Sequence, residues 1–481
     1  LFAGTGMLNL WAVSTDTSSL PVTHLCGAAL AFYLLVEARL ALRRTDTFGL
    51  LSPAFLALLF HFYLSYLLAL TVAASEPRVL GRFGQWLPAT DPAFAQTMVL
   101  VALAVFAMRR GAMIAQPMCR RLRRGVAVSP LIRRQIRPHI GLVVGIQALY
   151  LGLVALAIEL GVYGMLSRPE ALEEHLAVLE WLNLSLAAGT LSFFLILLRY
   201  FEIGQERRVP LPVTAFVVLL IAAHVGAGAL AAFKSQVIFP FIIAGFAYFV
   251  ARQRMPWHFI ACAAVALTVA YAVVEPFRAH IAKNGPPETL VAAVGAVGEA
   301  YRTREDLAHQ SDVGRGEAFA RRVDLLGVTS VAVAYVDAGK LTTAERHAFQ
   351  DSLLLAPILA YVPRAIWPSK PSYSRAGLWF NQTVLGRWHD TRTSVGMGPI
   401  GYLYMMGGVG MVALGFFGFG VLQALLFDGV ARAGAGGLII YLSVARTLVT
   451  IPTSFGPAIT GVLRMLPIAV VAQWLLLRRS R

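Results

Sequence analysis

Charge is scarce in this chain. Only 14% of its 481 residues are Asp, Glu, Lys or Arg, while 58% are hydrophobic; soluble domains carry roughly a quarter charged. With a mean hydropathy of +0.68, that balance excludes a soluble globular protein. Cysteine is scarcer still. Cys26, Cys119 and Cys262 are the only three, without metal-ligand spacing, which argues against a disulfide framework. The signatures G-x-x-x-x-G-K-[ST], H-E-x-x-H, C-x-x-C and G-x-S-x-G are missing. ATP-driven transport by this chain alone, zinc hydrolysis and serine acyl transfer therefore lose their usual marks. There is no repeat of fixed period, no low-complexity tract and no cleavable signal pattern.

What the chain has in abundance is apolar runs of membrane length. Spans are expected near 23–42, 49–72, 93–108, 139–165, 177–199, 211–233, 236–251, 257–276, 397–427, 437–455 and 457–477, about eleven in all, most of them near the roughly 20 residues that cross hydrocarbon. The apolar stretch 1–13 reads as the tail of a further span. The expected fold is an all-α polytopic membrane protein with a GT-C-like architecture. Residues 1–276 would form its first eight spans, 277–396 one large extracytoplasmic loop, and 397–481 the last three spans.

The formal charge of +16 suggests nucleic acid at first sight, but its distribution is topogenic. The segment from Arg109 to His139 holds nine arginines and no acidic residue, which marks the cytoplasmic side. Counting spans outward from it puts Arg43, Arg208, Arg254 and Arg479 inside as well, and Glu170, Glu173 and Glu174 outside. The N-terminus then lies outside, the C-terminus in the cytoplasm, and the long insert outside.

That insert, Phe277 to Gly396, carries fourteen Lys/Arg and eleven Asp/Glu, so it is mixed in charge. Short amphipathic helices are expected near 289–303, 316–337 and 344–361. The run from Leu353 to Tyr361, bounded by prolines, suits a helix lying on the bundle's outer face. The densest chemistry follows, from Tyr361 to Tyr404. Arg364, Lys370, Arg375, Arg387 and Arg392 are cations, His389 and Asp390 are proton acceptors, and Trp367, Trp379 and Trp388 are flat faces. Arg forks match phosphate oxygens, and aromatic rings stack on sugar faces. Such a set suits a substrate with both a pyrophosphate and a glycan; an interfacial Trp/Arg belt is the plainer alternative.

Ionisable groups also sit toward the outer ends of spans: Glu159, His224, Lys234, Glu275 and Arg278. Charge at membrane depth is costly and usually faces a bundle interior or wet cavity, while snorkelling serves for Lys234 and Arg278 at span ends. His224 stands beside Gly226 and Gly228, which permit close helix approach. Helix–helix hydrogen bonding or snorkelling is the expectation for Glu37 and His61.

Three stretches resemble the Wzy-type polymerases of bacterial O-antigen and exopolysaccharide repeat units. They are Phe233 to Trp257, VPRAIWPSKP from Val362 to Pro371, and TSVGMGPIGYLYMMGGVGMV from Thr393 to Val412, which re-enters the membrane. The likeness covers residues 200–430, and ligases that transfer O-antigen share the architecture. Where relatives often carry an acid shortly before the re-entering Tyr, this chain has Tyr402 in IGYLY, so no acid role transfers to that position. The resemblance implies an inner-membrane glycosyltransferase with a polyprenyl-pyrophosphate-linked oligosaccharide as donor and a second lipid-linked repeat as acceptor. It also implies a flippase and a chain-length regulator as partners, and no nucleic acid. In that reading Arg364, Lys370 and Arg278 hold the pyrophosphate with Lys234 in support, and Arg and Lys replace a divalent ion, so no cofactor is expected. His389 is the base, with Asp390 or Glu275 as substitute; Trp367 and Trp379 stack on glycan. Arg321, Arg322 and Asp324 add to the site or form a solvated helix face.

Overall fold

The computed structural model describes residues 1–14, 20–44, 47–73, 90–128, 138–206, 208–252, 254–303, 324–355, 358, 361–362, 367, 375–390, 394–451 and 455–477. Among them the chain is helical, with no strand. Among the described residues nine helices are long and apolar enough to cross a membrane. This is an all-α polytopic membrane protein. Hydrocarbon offers no partner to backbone N–H and C=O groups, so a run of Leu, Val and Ala must satisfy them within the helix. Several helices begin on proline, as at Pro21, Pro53, Pro92, Pro212 and Pro399, where the missing N–H is no loss.

In chain order the helices used below are α1 (Phe2–Ser14), α2 (Pro21–Arg44), α3 (Pro53–Val72), α4 (Asp91–Ile114), α5 (Gln116–Val128), α6 (Ile140–Glu159), α7 (Leu176–Glu206), α8 (Leu211–Leu230), α9 (Lys234–Arg252), α10 (Trp257–Asn284), α11 (Leu290–Arg302), α12 (Leu326–Asp337), α13 (Thr343–Leu354), α14 (Gly398–Ala424) and α15 (Ala435–Thr450). The expected spans 177–199 and 437–455 correspond to α7, 31 residues long, and α15, only 16. The span expected to end at 276 continues as α10 to Asn284, through Pro276.

The chain divides into two compact units, Leu1–Arg133 with Val313–Pro467, and Arg134–Asp312 with Ile468–Arg481. The first is organised around α4, which packs along α14 and also meets α2 and α12. Gly111 and Gly420 set the crossing of α4 and α14. A Cβ on Gly111 would run into the Phe417 carbonyl, and one on Gly420 into the Met108 carbonyl. Small residues let backbones meet this closely where lipid supplies no hydrophobic drive between helices. Glu37 on α2 pairs with Arg109 on α4 at 2.9 Å, and His61 Nδ1 meets the Thr450 carbonyl at 2.9 Å. Both are the helix–helix links expected of them.

Helix α14 is broken inside its length. Gly407 (φ −172°, ψ 28°) and Gly408 (φ 64°, ψ −151°) leave helical geometry, and the second of these dihedral pairs suits only glycine. The preceding residues, Gly398 to Met406, are all buried. The Met406 carbonyl at the break accepts a hydrogen bond from Gln350 Nε2 of α13 at 2.8 Å.

Helix α12 corrects the expectation of an amphipathic helix over 316–337 in its second half, residues 316–323 lying outside the described residues. Nine of its twelve residues are buried. Leu325 N–H donates to the Ser65 carbonyl at 2.8 Å, Thr329 Oγ1 to the Met397 carbonyl at 3.0 Å, and Ser330 Oγ to Thr97 Oγ1 at 2.9 Å. A helix enclosed on every side has no solvated stripe, so its polar residues are spent on neighbours. The expectations at 289–303 and 344–361 correspond to α11 and α13. Thr342 and Glu345 close a reciprocal capping box at the start of α13, satisfying two otherwise unpaired N–H groups.

In the second unit α6 packs on α7, and α9 on α7, α8 and α10. Phe277, Val274 and Ala270 of α10 lie in its core with Ile158 and Ala157 of α6.

Candidate functional site

The sequence-expected residues fall into both units. Arg364, Lys370, Arg321 and Arg322 lie outside the described residues, as do the prolines at 363, 368 and 371.

In the second unit the chain turns from α8 into α9 through Ala231, Ala232 and Phe233, with Ala232 at φ 55°. That is a left-handed conformation rarely adopted by a residue with a side chain. Arg278 on α10 steadies the turn. Its Nε donates to the Ala232 carbonyl at 2.8 Å, and its guanidinium stands 5.7 Å from the Phe233 ring centroid. Lys234, the first residue of α9, forms an ion pair with Glu275 and lies over the Tyr271 ring, 3.2 Å from its centroid. Tyr271 and Glu275 are one helical turn apart on α10, so ring and carboxylate reach the same ammonium. The Lys234 side chain is 12% exposed and that of Glu275 32%. Glu275, the substitute base of the sequence reading, is thus already committed to a cation.

Glu159 and His224 belong to the frame. Glu159 Oε2 accepts the Leu290 N–H at 2.8 Å, placing a carboxylate at the positive end of α11. His224 Nε2 lies 2.6 Å from Gln147 Nε2, and Gln147 Oε1 accepts from Ser192 Oγ at 2.8 Å. The imidazole is flanked by Phe193 and Tyr150 at 4.3 and 5.8 Å. This is a polar bridge among α6, α7 and α8.

In the first unit the short helix Arg375–Trp379 runs into a π-helical turn, Phe380–Val384, and the chain then folds back through Arg387, Trp388, His389 and Asp390. Backbone bonds shape this return. Arg387 N–H donates to the Asn381 carbonyl at 3.1 Å and Asp390 N–H to the Arg387 carbonyl at 3.0 Å. Gln382 Nε2 donates to the Asp390 carbonyl at 3.2 Å. Trp388, 73% exposed, and His389 project from the turn. No side-chain hydrogen bond holds His389 among the described residues.

Trp379 is placed differently from Trp388. Its Nε1 donates to Glu345 Oε1 at 3.1 Å, and its ring meets Phe349 and Tyr335 edge-on at 5.3 and 6.2 Å. Burial, and then the Glu345 carboxylate, pushes the Tyr335 phenol up. Trp367 is half-buried. Asp324 is 5% exposed, and its Oδ1 accepts the Gly327 N–H at 3.0 Å. It starts α12 from within, which corrects the solvated helix face considered for it.

Two groups escaped the sequence reading. Tyr404 donates to Asp337 Oδ1 at 2.7 Å and accepts from Gln96 Nε2 at 3.0 Å, linking α14, α12 and α4. Asn381, in the π-helical turn that carries the Arg387–Asp390 return, is fully buried with neither amide atom hydrogen-bonded among the described residues. Its signal in the sequence was a polar NQT among apolar residues. Among the described residues no group of three or more His, Cys, Asp or Glu side chains could hold a metal ion. Compared with protein-family models, curated proteins and solved structures, the chain matches none.

Proposed function

We propose that the protein is a polysaccharide polymerase of the Wzy type, a glycosyltransferase that joins polyprenyl-pyrophosphate-linked oligosaccharide repeats. It would work at the periplasmic face of the bacterial inner membrane, with about eleven spans, the 277–396 loop outside and the C-terminus in the cytoplasm. The observation that carries this reading is the Arg387–Asp390 turn. A cation, an open indole, an imidazole and a carboxylate stand on four successive residues, held by backbone bonds to a buried helical base. These are the groups that glycan transfer from a diphosphate requires. His389 takes the proton from the acceptor hydroxyl, and the freed oxygen attacks the donor's anomeric carbon. The bond to pyrophosphate breaks, and its electron pair leaves with the polyprenyl diphosphate. Arg364 and Lys370 stabilise that growing negative charge, with Arg321 and Arg322 adding to it. Arg278 and Lys234, in the second unit, are already engaged with a carbonyl and a carboxylate and take no part in this step. Trp388 joins Trp367 as a glycan-facing ring, while Trp379, packed on Phe349 and Tyr335, supports the turn rather than the glycan, and Asp390 stands beside the base. Partners would be a flippase and a chain-length regulator.

The test is purified protein in detergent, supplied with lipid-linked repeats and no other acceptor. Polymer from the wild type, and none from Arg364→Ala, Lys370→Ala or His389→Ala, is expected. Polymer from all three variants would remove the assignment, and product formed only when a lipid A core acceptor is added would make the protein an O-antigen ligase. The break at Gly407–Gly408 favours a second reading, a flippase or carrier of the same lipid-linked sugar, because interrupted helices are common in transporters. A carrier yields no new glycosidic bond in detergent, so the same assay separates the two.

A further inference from the structure

At the far end of the first unit from the Gln96–Tyr404 contact, a cleft of about 740 Å³ opens between α4, α5 and the end of α14. Arg109, Arg120, Arg123 and Arg432 line it against one acidic side chain, Asp428. Two of the four arginines are spoken for: Arg109 by Glu37 at 2.9 Å and Arg432 by Asp428 at 3.2 Å. Gln116 Nε2 takes the other Asp428 oxygen at 3.0 Å. Arg120 and Arg123, one helical turn apart and exposed, have no acidic partner among the described residues. At the cleft wall Gln423 is 1% exposed. Its Nε2 donates to the Leu448 carbonyl at 2.7 Å, but its Oε1 accepts nothing among the described residues.

The helix that supplies Arg120 and Arg123 has the make-up of an element at a membrane surface. α5 packs through buried Cys119 against the segment after α14. Just before it Ile114, and along it Met118 and Leu122, fall at i, i+4 spacing and are all exposed. Arg120, Arg121, Arg123 and Arg124 accompany this apolar stripe. A basic helix with such a stripe lies in the headgroup region of a bilayer, and clustered arginines beside a span attract anionic lipid.

The geometry points to a binding site for an anionic phospholipid, with its phosphate between Arg120 and Arg123 inside the cleft and its acyl chains leaving past Met113, an exposed residue of the cleft lining. The unpaired Gln423 amide oxygen suits a headgroup that carries a hydroxyl, as phosphatidylglycerol does. The arginines would thus bind a ligand in addition to orienting the chain. The site is independent of the glycosyl-transfer reading and stands if that reading fails.

The test counts lipids retained by the full-length protein in native mass spectrometry after titration with phosphatidylglycerol, phosphatidylcholine or soluble glycerol 3-phosphate. Wild type is expected to hold one phosphatidylglycerol about tenfold more tightly than phosphatidylcholine, and to ignore glycerol 3-phosphate. Arg120→Gln with Arg123→Gln is expected to lose that preference. Arg121→Gln with Arg124→Gln removes the same charge from the same helix outside the cleft, and is expected to keep it. Unchanged unfolding temperatures in lipid-free detergent would show that both double variants fold. Equal loss from the two double variants would reduce the site to a diffuse basic surface. Equal binding of glycerol 3-phosphate would make it a soluble-phosphate site, and no preference in the wild type would remove it.

Discussion

Two polar regions of this protein look alike in sequence and behave differently in structure. Lys234, Glu275 and Arg278 stand at the ends of apolar helices. Each is engaged, the first two with one another and Arg278 with the carbonyl of a left-handed turn. Trp388 and His389 also lie in a polar segment beside apolar helices, yet the chain holds their backbone and leaves their side chains outward. Charge at a membrane boundary can fasten helices or meet a ligand. What separates the two is whether the protein already supplies the counter-charge.

The strongest perturbation is to the helical frame of the first unit, which carries Trp388 and His389. Gly420→Leu forces a side chain into the Met108 carbonyl and should cost about 3 kcal/mol. Loss of the monodisperse peak in size-exclusion chromatography would register it. Next comes His389→Ala, which should lower polymer formation at least ~100-fold with an unfolding temperature like that of the wild type. A matching fall in stability would show that the imidazole is a fastener, like the other region. Lys234→Met should cost about 1–2 kcal/mol, because it strands a partly buried carboxylate. The double variant Lys234→Met, Glu275→Leu should recover most of that in thermal unfolding. A double variant as unstable as the single would show that the pair is no simple counter-charge. Trp388→Ala should weaken substrate use by about 1 kcal/mol through lost stacking, leaving stability unchanged, whereas Trp379→Ala should chiefly lower the unfolding temperature. The smallest effect is chemical. Burial pushes the Cys119 thiol up to about 11, so at pH 7.5 it should react with maleimide at least ~100-fold more slowly than in the unfolded chain.

Nine of the expected spans were legible because about 20 apolar residues admit few other readings. α11 and α13 were legible from their periodicity. Burial on every side was not: α12 carries Thr329 and Ser330, which in a linear reading mark a wet face, and only Met397 and Thr97 opposite them show otherwise. Glu275 read as a possible base because a carboxylate's partner is a fact of three dimensions. Helix α10 has to bring it to Lys234, 41 residues earlier in the chain. Gly407 and Gly408 lie inside the apolar run expected as one span, 397–427, and nothing in the local composition marks a break there.

The break in α14 has a consequence for polarity. Peptide dipoles add along a continuous helix and place partial charge only at its ends. With the alignment lost at Gly407 and Gly408, residues 398–406 and 409–424 add up separately, so a negative helix end and a positive one fall partway along the polypeptide's passage. Gln350 answers the negative one at the Met406 carbonyl. The protein thereby creates an electrical feature partway along this helix without a single ionisable side chain, one that hydropathy and charge counts cannot register.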